Sequence, residues 1–151
     1  MLLSMLMLAL AQDAAPPPVV ADFKALCLDT QGHSGAVVAA AEAQGGWGKP
    51  AHHLNNIILV KTDGSASLVV GPQTSGGVTR QACSVRVKPG QTGLTEALPA
   101  ALGENATAVD EAPGVYLLAE SRAAMRDGQV VFVSVSSDAE SSSLTAMRPP
   151  V

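Results

Sequence analysis

Aromatic side chains are almost missing from this chain: one Trp, one Tyr and two Phe make up 3% of its 151 residues. Stacking platforms for bases or sugar rings are therefore scarce. Charge is thin as well, at 15% of residues, and the 13 acidic and 9 basic side chains are scattered without blocks. With a formal net charge of -4 and no basic stripe to neutralise phosphates, nucleic acid is excluded as an expected partner. No apolar run reaches the about 20 residues that a membrane-spanning helix needs. There are only two cysteines and no Cys-x-x-C pair, so a thioredoxin-like redox motif is absent.

What is abundant is small and aliphatic. Hydrophobic residues are 47% of the chain, Ala and Val supply most of them, and the core is expected to be built from small side chains. A chain of this length has room for one domain. Part of the hydrophobicity lies at the start, in MLLSMLMLALAQDAAPPP. Leu2 to Leu10 is a short apolar run, Ala9-Leu10-Ala11 is a small-x-small cleavage site, and a polar, proline-rich stretch follows. Residues 1–11 are expected to be a secretory signal peptide and 12–19 an extended leader, because Pro16-Pro17-Pro18 cannot donate backbone hydrogen bonds. That places the mature protein in the periplasm or outside the cell, with no integral membrane anchor after processing. No cysteine follows the cleavage site to carry a lipid.

The domain is expected over 20–137 and a flexible tail over 138–151. Phe23, Leu26 and Cys27 share one face of a first helix, and Ser34–Gln44 reads as a second with Val37, Val38 and Ala41 inward. The period then becomes two. Residues 54–62 and 65–71 flank an Asp63-Gly64 turn, 72–77 is a loop, and 78–88 alternates cleanly, with Cys83, Val85 and Val87 on one side and Ser84, Arg86 and Lys88 on the other. A third helix covers 94–102 despite Pro99, which requires a start near Thr95 or a kink. Residues 104–113 are a loop, and 115–120 and 129–136 are strands joined by a turn at Asp127-Gly128. No fixed-period repeat is visible. The expected fold is α+β, a largely antiparallel sheet of about five strands with helices packed on one face.

Gly32-His33-Ser34-Gly35 between an apolar run and a helix has the order of a hydrolase nucleophile elbow. Ala36 stands where the motif needs a second glycine, and Glu42 followed by His52 or His53 is the only acid–histidine set downstream. Capping of the second helix by the Ser34 hydroxyl is the preferred expectation, and no catalytic residue is assigned. A serine hydrolase using Ser34 with His52 or His53 remains the alternative function, alongside a structural or envelope-stress protein without a fixed ligand. Cys27 and Cys83 are an even pair in an exported chain, which favours a disulfide over two buried thiols or a metal or redox role. Zinc is not expected, since adjacent histidines on an extended segment point apart, and no cofactor motif is present. Trp47, His52 and His53 are a candidate pocket, although a plug at the edge of the core is the preferred expectation for Trp47. Asn105-Ala106-Thr107 matches a glycosylation acceptor, a short and common pattern.

Phe23, Leu26-Cys27, Asp29-Thr30, an Ala-rich helix ending in Gly46-Trp47, and Cys83-Ser84-Val85 downstream resemble a family of small exported bacterial proteins of unknown function, over residues 20 to 103. In that family a single glycine precedes the Trp, where this chain has Gly45-Gly46. The resemblance implies export and an α+β domain with paired cysteines, and it brings no catalytic residues. The expected function is a non-enzymatic, exported module that binds a protein or a cell-envelope component.

Overall fold

The computed structural model describes residues 15–149; the expected signal peptide lies outside them. Helix α1 spans Pro18–Phe23 and runs straight into a π-helical segment, Lys24–Leu28. Pro18 is the first helical residue, where a missing N–H costs nothing. The leader expected through residue 19 is thus already helix at Pro18, and Val19 and Val20 are buried with Phe23, Leu26 and Cys27. Helix α2, Ser34–Gln44, follows a tight turn and stops at Gly45, whose φ of 76° suits a glycine.

Among the described residues eight strands follow, not five. They are β1 (Ala51–His53), β2 (Asn56–Val60), β3 (Ala66–Ser75), β4 (Val78–Val87), then β5 (Ala106–Ala108), β6 (Val115–Leu118), β7 (Val131–Ser137) and β8 (Ser142–Arg148), with α3 (Leu94–Leu102) before β5 and a short α4 (Arg122–Arg126) before β7. All pairings are antiparallel, and the single sheet has the order β1-β2-β3-β4-β8-β7-β6-β5. It consists of two four-strand meanders joined along β4 and β8, and the α+β, antiparallel expectation holds.

The extra strands have identifiable causes. β1 and β5 are three-residue edge strands, too short to show a period. Leu54, at φ 53°, turns the chain between β1 and β2 at the first residue of the segment 54–62 expected as a strand, and β1 lies ahead of that segment. The expected loop 72–77 is strand as far as Ser75: Pro72 lies past Val70, the last β3 residue paired with β2, where β3 is an edge and proline is tolerated. The expected flexible tail contains β8, which sits at the centre of the sheet between β4 and β7. Its alternation is real, with Ser142, Leu144, Ala146 and Arg148 buried and the residues between them partly exposed, but the serine run hides it.

The two faces of the sheet differ. In-register pairs Leu68–Val85–Leu144 and Val70–Cys83–Ala146–Val133 point to one side. α1 packs there on β4 and β8, α2 on β3, and α3 beside α1, with Leu94, Leu98 and Leu102 completing the core. Cys27 and Cys83 form a disulfide with Cα atoms 5.4 Å apart, tying the π-helical segment to mid-sheet. The opposite face carries Ser67, Ser84, Arg86, Ser143 and Thr145, partly or fully exposed.

Candidate functional site

Trp47, His52 and His53 do not come together. A single antiparallel bridge joins Trp47 to Lys61, and its ring packs against the core with the Lys61 ammonium 5.2 Å from the ring centroid. Lys61 Nζ is also 2.6 Å from Oδ2 of the buried Asp22, which accepts a second hydrogen bond from Gln44 Nε2. This cluster fastens α1, the end of α2 and the chain after β2. His52 and His53 are both exposed on β1. Their partners are Ile57 and Asn56, neighbours on β2 that face opposite sides of the sheet, so the two imidazoles diverge. Among the described residues no group of three His, Cys, Asp or Glu side chains is placed to hold a metal ion.

Ser34 is not a cap. His33 occupies the cap position of α2, no side chain caps it, and Ser34 is the first helical residue. Its Oγ instead accepts a long hydrogen bond of 3.4 Å from Gln81 Nε2 on β4, which also donates to the Gly32 carbonyl at 3.0 Å. The local turn is closed by Thr30, whose hydroxyl donates to the Leu26 carbonyl at 2.6 Å and accepts from the Gly32 N–H. β1 lies three strands from β4, about 14 Å at the usual strand spacing. Among the described residues neither His52 nor His53 hydrogen-bonds to Ser34, whose hydroxyl has Gln81 as its partner.

The arrangement with the most chemical content is on the open face, where β2, β3, β4 and β8 form a trough of about 400 Å³. Asn56, Ser67, Ser84, Arg86, Ser143 and Thr145 contribute polar groups together with Gln73, and Val69 is part of its apolar lining. Two rows cross it in register. Ser67, Arg86 and Ser143 form one, and Val69, Ser84 and Thr145 the other. The Ser84 and Thr145 hydroxyls are 2.9 Å apart, and Arg86 Nη2 donates to Ser141 Oγ at 2.9 Å. One rim depends on Gly71, because a Cβ there would lie 2.3 Å from Asn56 Oδ1 and 2.8 Å from the Asn55 carbonyl. Only glycine lets the β1–β2 turn fold this closely over β3.

Beside the trough, Asp138 accepts the Ser141 and Glu140 N–H groups at 2.8 Å each. Those bonds, the one from Ser141 first, hold its carboxyl below the ordinary value, with a smaller pull from Arg86. Asp63 is lowered the same way, chiefly by the Ser65 hydroxyl. The outward alternation of Ser84 and Arg86 is visible in the sequence, but Ser143 and Thr145 belong to β8, which lies within the expected tail. The inward spacing of Leu144 and Ala146 was the signal that could have found them. No protein-family model, curated protein or solved structure matches the chain.

Proposed function

We propose that this is an exported, non-enzymatic binding module, periplasmic or secreted, whose binding surface is the open face of the sheet and whose partner is a cell-envelope component. The observation that carries the reading is the polar trough on a sheet face that the helices leave uncovered. Clefts of a few hundred Å³ with a small set of convergent polar groups are where proteins hold small ligands. The buried disulfide supports export, since such bonds persist in oxidising compartments. Membership in the exported family that the Cys-Ser-Val and Gly-Trp segments resemble belongs to the same proposal. Among the described residues no helix is long and apolar enough to cross a membrane.

The test is made on protein harvested from the exported fraction. Intact mass with and without reductant should show a processed chain with one disulfide. Incubated with an envelope extract and recovered by gel filtration, wild type should retain a component detectable by native mass spectrometry. Ser84→Trp, which fills the trough from β4, should lose it while keeping its unfolding midpoint. Retention of the leader with both thiols reduced would sink the export half. Equal capture by wild type and Ser84→Trp would sink the site.

A further inference from the structure

We infer that the trough is an oxyanion subsite: Arg86, flanked by the hydroxyls of Ser67 and Ser143, binds the carboxylate or phosphate group of a small polar ligand. This rests on the open face being the binding surface and adds the chemistry of what it takes.

The chain is acidic overall, yet among the described residues that line the trough none is Asp or Glu, while one is Arg. Three other cations have carboxylate partners. Lys24 lies 2.8 Å from Asp29, Lys61 2.6 Å from Asp22, and Arg148 2.6 Å from Glu120. Arg86 differs, because its hydrogen bond is to a neutral hydroxyl, Ser141 Oγ, through Nη2. That contact anchors the guanidinium and leaves most of its five N–H donors for a ligand. The acid that feels Arg86 is Asp138, whose carboxylate is engaged with the Ser141 and Glu140 N–H groups and is not part of the lining.

Register supplies the second half of the argument. Ser67 on β3 and Ser143 on β8 are the direct partners of Arg86, so the three side chains stand in a line on the same face. With strands about 4.8 Å apart, an anion above Arg86 has a rotatable hydroxyl donor on each side. Charge-assisted hydrogen bonds of this kind are the stronger and more directional ones. About 400 Å³ admits a small molecule and excludes a folded domain. None of the described residues lining the trough is aromatic, so they offer no stacking surface for a sugar ring and the anion must carry the selectivity.

The experiment is an amide NMR titration of the mature, disulfide-bonded chain at low salt with three probes: glucuronate, glucose 6-phosphate and neutral glucose. The carboxylate and phosphate arms separate the two sources of the group. The expected result is saturable shifts at Ser67, Ser84, Arg86 and Ser143 with at least one anionic probe and none with glucose. Arg86→Gln should weaken that binding about tenfold or more, and Arg86→Lys should retain part of it. Glucose binding the trough as tightly as the anions, or anion binding untouched by Arg86→Gln, overturns the oxyanion assignment and leaves the open-face reading standing. Anion shifts confined to other surfaces, or no shifts with any probe, overturn it too, and the Ser84→Trp capture then decides the broader reading separately.

Discussion

The hydroxyl of Tyr116 donates to the main-chain carbonyl of Thr95 at 2.9 Å, and that oxygen is the one which Pro99 leaves without its helical partner. Pro99 lies inside α3, and a proline four residues after a carbonyl cannot supply the N–H that would close the helical turn. Tyr116, on β6 and facing the core, supplies the donor from the sheet instead. The helix therefore starts at Leu94 and runs through the proline, and the bond that replaces the missing one also pins α3 onto the second meander.

Removing that hydroxyl should cost about 1 kcal/mol, the usual net worth of such a bond plus part of the penalty for an unsatisfied carbonyl. Tyr116→Phe measured by urea unfolding gives the number. The sharper check is a double-mutant cycle with Pro99→Ala, which restores the N–H. If the Tyr116→Phe cost is the same in both backgrounds, the two residues are not coupled and the compensation is wrong.

The disulfide should be the largest single contribution to stability that can be removed cleanly. Cys27 and Cys83 are 56 residues apart, for which the chain-entropy treatment gives about 4 kcal/mol. Cys27→Ala/Cys83→Ala, compared with the oxidised wild type by denaturant titration, should lose that amount, and reduced wild type should behave like the double variant. A loss below about 1 kcal/mol would mean that the helix layer stays docked without the bridge, held by the packing of Val19, Val20, Phe23 and Leu26 together with the Asp22–Lys61 pair.

How much of this was legible beforehand depends on whether a segment carries its own period. Residues 78–88 do, and both the inward set Cys83, Val85, Val87 and the outward pair Ser84, Arg86 stand where the alternation puts them. α2 and α3 were also readable, by an apolar stripe and a glycine stop. The failures share one physical cause, that tertiary pairing decided what local pattern left open. Ser141-Ser142-Ser143 looks like a solvated tail, yet Ser142 is fully buried because its hydroxyl takes the Gln91 N–H at 2.7 Å. A polar residue satisfied in this way enters a core face without hydrophobicity to announce it. Likewise Ser34 has the composition of a cap, but Gln81, 47 residues away, uses its oxygen. The trough stays hidden as long as β8 is not recognised, because half of its hydroxyls come from that strand.

Two surface turns should respond to acid. The carboxyls of Asp138 and Asp63 are lowered from 3.8 by hydrogen bonds that only the folded turns provide. For a depressed carboxyl the stabilisation is complete above the unfolded value and disappears as pH falls through the folded one. Both turns should hence keep their geometry down to about pH 4 and loosen below it. Amide exchange at Glu140, Ser141 and Ser65 followed against pH reports this directly. Ser65→Ala should move the Asp63 transition up towards its ordinary range and leave that of Asp138 where it was. A shift of both would point to global acid unfolding instead of local release.

The Asp22–Lys61 pair offers the most asymmetric prediction. The Asp22 side chain is 6% exposed and that of Lys61 24%, so the aspartate relies on its partners far more than the lysine does. Lys61→Met keeps most of the aliphatic packing but strands a carboxylate among α1, α2 and the Trp47 ring, with Gln44 as its remaining described hydrogen-bond donor. Breaking a buried ion pair from one side costs about 3–5 kcal/mol, and the partial exposure of Lys61 brings the expectation to the lower end. Asp22→Asn should cost less, because its amide oxygen can still accept from Lys61, its amide nitrogen can donate to Gln44 once that side-chain amide is flipped, and the ammonium left without a counterion is the group nearer water. The single Trp makes the cluster observable: loss of the ammonium over its ring should alter Trp47 fluorescence in Lys61→Met and much less in Asp22→Asn. If Asp22→Asn proves the more damaging of the two, the stabilisation resides in the lysine, and the burial asymmetry does not set the order.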